Sequence, residues 1–269
     1  MASAEPIAGG DLNDAWRLEL ADGTPAFAKT SAGARPGGYE AEAAGLRWLA
    51  EGGADVPEVL AATDDVLVLA WVEAQPGGSD AERLGRMLAT MHDAGAAGFG
   101  TLPPGTPGGE RAPLRLGPLE LETQDADDWP SFYARSRVMP MARRANLPGD
   151  GMATIERLCE RMADFAGPAE PPARLHGDLW GGNVMGGPVL IDPAAYGGHR
   201  EVDLAMLWLF GSPGDRFLAA YQEVHPLADG HADRMALWQL FPLLVHAALF
   251  GGGYGASAVR AARRYVGYS

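Results

Sequence analysis

Several features that mark particular classes of protein are scarce or absent in this sequence. There is one cysteine, Cys159, in 269 residues, so no internal disulfide can form and a reducing compartment is expected. The longest apolar run, residues 204–210, is far too short to cross a bilayer. Residues 1–6 lack the basic and apolar regions of a secretion signal. We therefore expect a soluble cytoplasmic protein with no membrane partner.

Positive charge is also scarce, with 21 Lys and Arg against 35 Asp and Glu and a formal net charge of -14 at pH 7. This balance argues against a nucleic-acid partner, because a phosphate backbone requires clustered Lys and Arg. It does not exclude a nucleotide, since a few local cations and Mg²⁺ can neutralise one triphosphate. The chain has a single lysine, Lys29, and no Walker A motif.

The hydrophobic pattern divides the chain into a small β-rich part and a larger helical part. Strands are predicted at residues 15–20 and 25–30, joined by an Asp22-Gly23 turn, and a buried strand at residues 66–72. Residues 75–78 are predicted to be a linker between two lobes, and after them the pattern becomes helical. Helices are predicted at residues 39–50, around 84–91, and at 129–145, 151–165, 202–210, 215–224 and 231–250.

The strongest chemical signal lies between residues 175 and 193. Residues 175–183 read L-H-G-D-L-W-G-G-N and residues 189–193 read V-L-I-D-P, which fits the catalytic loop and metal-binding Asp of protein kinases. An Asp on a loop, here Asp178, can accept the proton of an attacking hydroxyl. Asn183 and Asp192 offer the oxygen ligands that Mg²⁺ prefers.

Each of these residues has a plainer interpretation. Asp178 or Asn183 alone would be taken as the cap of a turn, and only the ordered set favours catalysis. His176 is expected to be a structural histidine packed under the loop. A two-metal phosphoesterase would need further histidine ligands. The remaining histidines lack metal-ligand spacing, so the hydrolase is rejected; they are His92, His199, His225, His231 and His246.

A kinase also requires a lysine on the N-terminal sheet, held by a glutamate on the next helix. Lys29 lies at the end of the second predicted strand. Glu42 lies within the apolar stripe of the following helix, whereas Glu40 points away from it. A carboxylate on a buried face is costly unless it is paired. We therefore predict an ion pair between Lys29 and Glu42.

A candidate phosphate-covering loop precedes the first predicted strand. Its backbone N–H groups could approach a triphosphate closely. A Gly-Gly pair followed by polar residues occurs in many turns, and this loop is not a G-x-G-x-x-G. Its candidate nucleotide-binding residues are Gly9, Gly10, Asp11 and Asn13.

Together these motifs resemble the fructosamine/ketosamine kinase family, a relative of the aminoglycoside and choline kinases. The resemblance covers most of the chain, from G-G-D-L-N at 9–13 through F-A-K-T at 27–30 to H-R-E-V-D-L-A at 199–205. Trp180, directly after H-G-D-L, is the most specific match. The resemblance implies an α+β, two-lobed protein-kinase-like fold. Its small antiparallel-sheet N-lobe with one helix would span residues 1–74, and its larger, mainly helical C-lobe residues 79–269.

The resemblance also implies a reaction, in which ATP and Mg²⁺ phosphorylate the sugar O3′ of a ketoamine for deglycation repair. The acceptor would be a fructosamine or ribulosamine adduct of lysine or a small amine. Asp178 would be the base and Lys29 the phosphate-binding cation, while Asp203 would brace the catalytic loop. The adenine hinge would include Trp71, Val72 and Glu73. The sugar pocket would involve Trp180, Tyr196 and His199, for each of which ordinary packing is an equal interpretation.

Some parts of the chain depart from the family pattern. The chain begins at the Gly-Gly loop, where relatives usually have a further segment. Residues 101–122 lack the family's motifs, which leaves the acceptor open. Asp11 stands where some relatives have a redox-sensitive cysteine, so no intersubunit disulfide is expected and a monomer is favoured. The alternatives are an aminoglycoside- or choline-type phosphotransferase and, from another class, a nucleotide-binding pseudokinase.

Overall fold

The computed structural model describes residues 2–7, 14–31, 33, 36–73 and 80–267. Within these ranges the N-terminal part forms a five-stranded antiparallel sheet in the order β1-β2-β3-β5-β4. The hairpin predicted around Asp22-Gly23 is confirmed. The predicted strand at 66–72 ends two residues early. The strands are β1 (Ser3–Ile7), β2 (Asp14–Glu19), β3 (Pro25–Thr30), β4 (Val59–Ala62) and β5 (Val66–Ala70).

Helix α1 (Gly38–Glu51) covers one face of this sheet. Its apolar stripe, which includes Tyr39 and Leu46, is buried against Leu67 and Leu69 of β5. The helix begins after Gly37, whose φ of 74° is a left-handed conformation that glycine adopts without strain. Packing this stripe on the sheet fixes the direction in which Glu42 points.

The C-terminal part is mainly helical. The predicted helix around 84–91 is α2 (Ala81–Asp93), and Leu84, Met87, Leu88 and Met91 are all buried as the spacing predicts. The other helices are α3 (Trp129–Phe132), continued by a π-helical turn (Tyr133–Val138) into α4 (Met139–Arg144), then α5 (Gly151–Glu160), α6 (Met162–Phe165), α7 (Glu201–Leu209), α8 (Asp215–Val224), α9 (His231–Trp238), α10 (Leu240–Phe250) and α11 (Tyr254–Val266).

Helices α2 and α8 pack closely because α2 has no side chain at the crossing point. A Cβ atom on Gly85 would lie 2.4 Å from the carbonyl oxygen of Phe217. Both helices bury their apolar faces in one cluster with α1 and α7. This cluster also contains Leu179 and Leu190, so it supports the segment in which the catalytic motif lies.

Short strands complete the C-terminal part. Two of them form a hairpin within residues 101–122, where the sequence matched no family motif and no element was predicted. Two others bracket the catalytic motif. The strands are β6 (Leu114–Leu116), β7 (Leu119–Leu121), β8 (Ala173–Leu175), β9 (Val184–Met185), β10 (Val189–Leu190) and β11 (Tyr196–Gly198).

The helices differ from prediction at three places. The predicted helix at 231–250 is two helices, α9 and α10, which meet at Gln239. Pro242 lies in the first turn of α10, where its missing N–H costs no hydrogen bond. The predicted helix at 151–165 is interrupted at Arg161, and α11 was not predicted.

The two-lobed, protein-kinase-like α+β fold predicted from the sequence is confirmed, with an antiparallel sheet and one helix preceding a helical part. The predicted linker at 75–78 lies outside the described residues. Among the residues that the structure describes, no helix is long and apolar enough to cross a membrane.

Candidate active site

The catalytic motif is held between two paired strands. β8 pairs antiparallel with β11, and the β9–β10 hairpin returns the chain so that Asp192 comes back to the loop containing Asp178. Gly177 makes this close approach possible. Its φ is 80°, and a Cβ atom there would lie 2.0 Å from the carbonyl oxygen of Ala194.

Asp178 lies partly buried on this loop. The amide nitrogen of Asn183 donates to the Asp178 carbonyl oxygen at 2.8 Å and to its carboxylate at 3.3 Å. Burial raises the pKa of Asp178 to about 6, although His246 and the Asn183 hydrogen bond act in the opposite direction. A carboxylate with a pKa near neutrality is well suited to accept a proton from a hydroxyl.

His176 has the structural role predicted for it. It is fully buried, and its Nδ1 accepts a hydrogen bond from the Asp178 N–H at 3.3 Å. The other ring nitrogen, Nε2, therefore carries the proton and donates to the carbonyl oxygen of Ile191 at 3.0 Å. Burial also lowers the pKa of His176, which favours this neutral form.

Asp203 braces the catalytic loop, as predicted. Its two carboxylate oxygens accept hydrogen bonds from the backbone N–H groups of His176 at 2.7 Å and Gly177 at 3.0 Å. His92 lies 3.3 Å from the same carboxylate and 2.8 Å from the Tyr221 hydroxyl. Although Asp203 lies in the first turn of α7, its carboxylate therefore holds the loop, and His92 was not anticipated in this role.

The predicted ion pair between Lys29 and Glu42 is confirmed. Lys29 Nζ lies 2.6 Å from Glu42 Oε2 and also 2.9 Å from Asp192 Oδ1. Burial alone would lower the pKa of Lys29, but the carboxylates of Glu42 and Asp192 outweigh it and raise the pKa. Burial raises the pKa of Glu42 to about 7, against the attraction of Lys29. Lys29 is therefore a fixed, protonated cation.

The residues predicted to bind Mg²⁺ have the right chemistry for it. Asp192 is half exposed and adopts a φ of 53°, a strained conformation for a residue other than glycine. Its carboxylate and the amide oxygen of Asn183 match the hard oxygen ligands of Mg²⁺. The described residues contain no cluster of three or more His, Cys, Asp or Glu able to hold a metal. A cation here would need water or phosphate oxygens, which Mg²⁺ usually retains.

Part of the predicted nucleotide site cannot be placed. Gly9, Gly10, Asp11 and Asn13 lie outside the described residues. The hinge candidates Trp71, Val72 and Glu73 follow β5 directly, and the ring of Trp71 packs against the guanidinium of Arg17 at 5.3 Å.

Two of the three sugar-pocket candidates are packing residues instead. Tyr196 is fully buried, with the Arg137 guanidinium 4.6 Å from its ring. His199 is 3% exposed and stacks on Trp238 at 5.3 Å. For Tyr196 and His199 the structure therefore favours ordinary packing, which was one of the two equal interpretations. Trp180 is 41% exposed and remains available to a ligand.

A narrow cleft beside Asp178 reveals residues that sequence reasoning missed. α10 lines it with Phe241, Pro242, Val245 and His246, and the hairpin lines it with Leu116. The His246 ring lies 4.7 Å from that of Phe210, which in turn lies 6.2 Å from Trp180. A single polar residue in the strongly apolar α10 was the available signal for His246, and it was dismissed for lack of metal-ligand spacing.

Comparisons with known proteins agree with this geometry. The family model for fructosamine kinase matches residues 1–267. A protein of Thermus thermophilus named a probable ketoamine kinase is 36% identical over 256 residues, covering 93% of this chain and 89% of the relative. The chloroplastic protein-ribulosamine 3-kinase of Oryza sativa subsp. japonica is 33% identical over 269 residues, covering 94% and 75%.

A solved structure is similar over nearly the same extent. The crystal structure of a provisionally named fructosamine-3-kinase from Thermobifida fusca YX-ER1 superposes with a TM-score of 0.88 at 43% identity. The match covers 97% of this chain and 92% of that one. With its family model matched from end to end and its catalytic loop and lysine–glutamate pair in place, the chain belongs to the fructosamine kinase family.

Proposed function

We propose that this protein transfers the γ-phosphoryl group of ATP to the O3′ hydroxyl of a ketoamine, a fructosamine or ribulosamine adduct of lysine or a small amine. Membership of the family makes it an ATP-dependent phosphotransferase. The observation that carries the proposal is the joint contact of Lys29 with Glu42 and Asp192. This contact brings the phosphate-binding cation and a metal ligand together at the catalytic loop.

In the proposed reaction ATP lies between an N-lobe of residues 1–74 and a C-lobe of residues 79–269. Residues 71–73 and the loop containing Gly9 and Gly10 would contact the nucleotide. Lys29 would neutralise charge on its phosphates. Asp178 would accept the proton of the attacking hydroxyl and orient that oxygen in line with the γ-phosphorus. Mg²⁺, held by Asn183 and Asp192, would supply further neutralisation of the triphosphate.

The cleft favours the uncharged sugar part of a ketoamine over the polycationic acceptors of aminoglycoside-type kinases. Its lining is largely apolar, and its two carboxylates are Asp178 and Asp203. Asp203 is engaged by the loop N–H groups, which leaves Asp178 alone to face an acceptor. An acceptor site for a polycation would need additional acidic residues, because each unpaired positive charge is costly to desolvate. The exposed ring of Trp180 offers an apolar face to a sugar.

A pseudokinase is disfavoured because the phosphoryl-transfer residues are present together. Lys29 contacts Glu42 and Asp192, and Asn183 contacts Asp178 on the neighbouring loop. Since the reaction consumes ATP, we place it in the cytoplasm. The phosphorylated ketoamine is unstable, so the physiological outcome would be removal of the sugar from the amine.

The experiment is an assay of ADP release with MgATP and a panel of fructosyl-, ribulosyl- and erythrulosyl-lysine, with choline and an aminoglycoside included. Turnover on a ketoamine is expected, and Asp178→Ala should abolish it. Phosphorus NMR of the product should locate the phosphate at O3′. Turnover on choline or the aminoglycoside alone would refute the proposed ketoamine substrate. MgATP binding without turnover on any acceptor would support the pseudokinase.

A further inference from the structure

The β6–β7 hairpin forms one wall of the cleft beside Asp178. Cross-strand pairing sets Leu114 opposite Leu121 and Leu116 opposite Leu119. Leu114 and Leu121 are buried in the core of the helical part, which anchors the hairpin. Leu116, two residues along, lines the cleft together with Asp178 and His246. The rest of the wall belongs to the catalytic loop, α7 and α10. The hairpin is a connecting segment, and such segments tolerate changes of sequence more readily than the helices and the catalytic loop do.

The same hairpin is tied to the N-terminal part of the molecule. Arg115 Nη1 donates to the carbonyl oxygen of Pro36 at 2.6 Å. The neighbouring Gly37 precedes α1 and lies so close that a Cβ atom there would be 2.9 Å from Pro107. The N–H of Gly37 donates to Asp64 at 2.6 Å, which holds the Pro36–Gly37 turn on its own sheet. Arg115 therefore joins the hairpin to a fixed point on the opposite part of the molecule.

We infer that Leu116 determines how long a ketose the acceptor site admits, and that Arg115 is a positioning residue that holds Leu116 in place. The inference rests on the proposed ketoamine kinase function. In a narrow cleft, one added or removed carbon of the sugar must be accommodated by a side chain of the wall. The core holds α7 and α10 and also anchors the hairpin through Leu114 and Leu121. The Arg115 contact fixes the outer side of the hairpin against Pro36.

Substitutions of Leu116 in opposite directions test the first part. The measurement is the ratio of kcat/KM for fructosyl-lysine to that for erythrulosyl-lysine. Leu116→Ala widens the cleft and should raise this ratio about tenfold, and Leu116→Phe should lower it by a similar factor. Leu119→Ala is the matched control, because it removes the same side chain from the same hairpin without lining the cleft. It should leave the ratio within about twofold.

Substitutions of Arg115 test the second part. Arg115→Ala should raise KM for the acceptor several-fold while KM for ATP stays unchanged, and it should weaken the discrimination between ketoses. Arg115→Lys retains a donor for the Pro36 carbonyl and should restore part of the loss. Arg111→Ala is the control, because it removes an arginine of the same segment whose ion pair in the described part of the chain is with the exposed Asp125. Its kinetic constants should equal those of the wild type.

The outcomes separate this inference from the function on which it rests. Wild-type protein that phosphorylates no ketoamine would refute the proposed function itself. A wild-type ketoamine kinase in which both Leu116 variants shift the ratio in one direction, or in which Leu119→Ala shifts it equally, would refute the role of Leu116. Equal increases in KM for ATP and for acceptor in Arg115→Ala would refute the positioning role.

Discussion

Lys29 Nζ lies 2.6 Å from Glu42 Oε2, and this contact joins the third strand of the sheet to helix α1. The same nitrogen reaches Asp192, which follows the catalytic loop. Glu42 is largely buried, and among the residues that the structure describes no hydrogen-bond partner is found for its second oxygen, Oε1. The ammonium group of Lys29 is therefore shared between the carboxylates of Glu42 and Asp192.

We expect Glu42→Gln to impair the use of ATP. Without the charge of Glu42, the lysine ammonium would shift towards Asp192, the carboxylate proposed to bind Mg²⁺. kcat/KM for ATP should fall about tenfold or more, since misplacing a catalytic group by about 1 Å can cost about a hundredfold. Steady-state kinetics and calorimetric titration with MgATP would measure the loss.

Glu40→Gln is the matched control for this substitution. Glu40 lies on the same helix two residues earlier, and no contact with Lys29 is found for it within the described part of the chain. Its variant should bind and use MgATP like the wild type. Equal losses in the two variants would show that α1 responds to any change of charge, and the specific role of Glu42 would be refuted.

The sequence was sufficient to predict the ion pair between Lys29 and Glu42, because the position of each residue follows from the pattern of its own strand or helix. Alternation placed Lys29 at the end of a strand, and the 3.6-residue period placed Glu42 on the buried face of a helix. The catalytic loop was equally accessible, since its residues lie within a short contiguous segment. Asp203 was assigned by resemblance, and the hydrogen bonds that it accepts confirm the assignment.

The acceptor side was not predictable in the same way. Leu116, Phe210 and His246 come from a hairpin, the end of α7 and α10, and only tertiary packing brings them near Asp178. Tyr196 and His199 lie close to the motif in sequence, yet both are buried, Tyr196 in β11 and His199 directly after it. Sequence distance from a catalytic residue is a poor guide to pocket residues where helices from remote segments converge.

The rate should depend on pH through Asp178, whose pKa is raised to about 6. The ionised form is the base, so kcat/KM for the acceptor should be constant above about pH 7. It should fall about tenfold per pH unit well below pH 6. A pH profile measured at saturating MgATP would show this decrease. A value of kcat/KM that does not change between pH 8 and pH 5 would contradict the assignment of Asp178 as base.

His246 should influence the pH at which the rate begins to fall. Its charge lowers the pKa of Asp178, so His246→Gln should let the pKa rise and move the acid limb to higher pH. His225→Gln is the control, since His225 pairs with Asp93 away from the cleft. A limb that stays in place in His246→Gln would show that the histidine does not act on Asp178 electrostatically.

Loss of the Asp203 carboxylate should destabilise the fold as well as the active site. Asp203→Ala leaves the buried N–H groups of His176 and Gly177 without an acceptor, at a cost of about 3 kcal/mol. Urea unfolding would measure it. Asp215→Ala removes an exposed Asp from the first turn of α8 and should cost less than about 1 kcal/mol. Similar losses of unfolding free energy in the two variants would mean that Asp203 acts only as a favourable charge in the first turn of its helix.

Asp178 itself should make the protein less stable at neutral pH, because its pKa rises from an ordinary 3.8 to about 6 on folding. Below pH 3.8 both states hold the proton, and stability is lost as the pH rises through 6. At pH 8 the ionised carboxylate costs at most about 3 kcal/mol, and less because it is partly exposed.

Asp178→Asn should therefore unfold at a higher temperature than the wild type at pH 8, with a difference that shrinks as the pH falls towards 5. Asp22→Asn is the opposite control: hydrogen bonds from Thr24 lower the pKa of Asp22, so its carboxylate contributes stability at pH 8. Thermal unfolding of the three proteins between pH 8 and pH 5 would separate them. If Asp178→Asn gains nothing at pH 8, the carboxylate is not desolvated, and the physical basis for its role as a base near neutrality is removed.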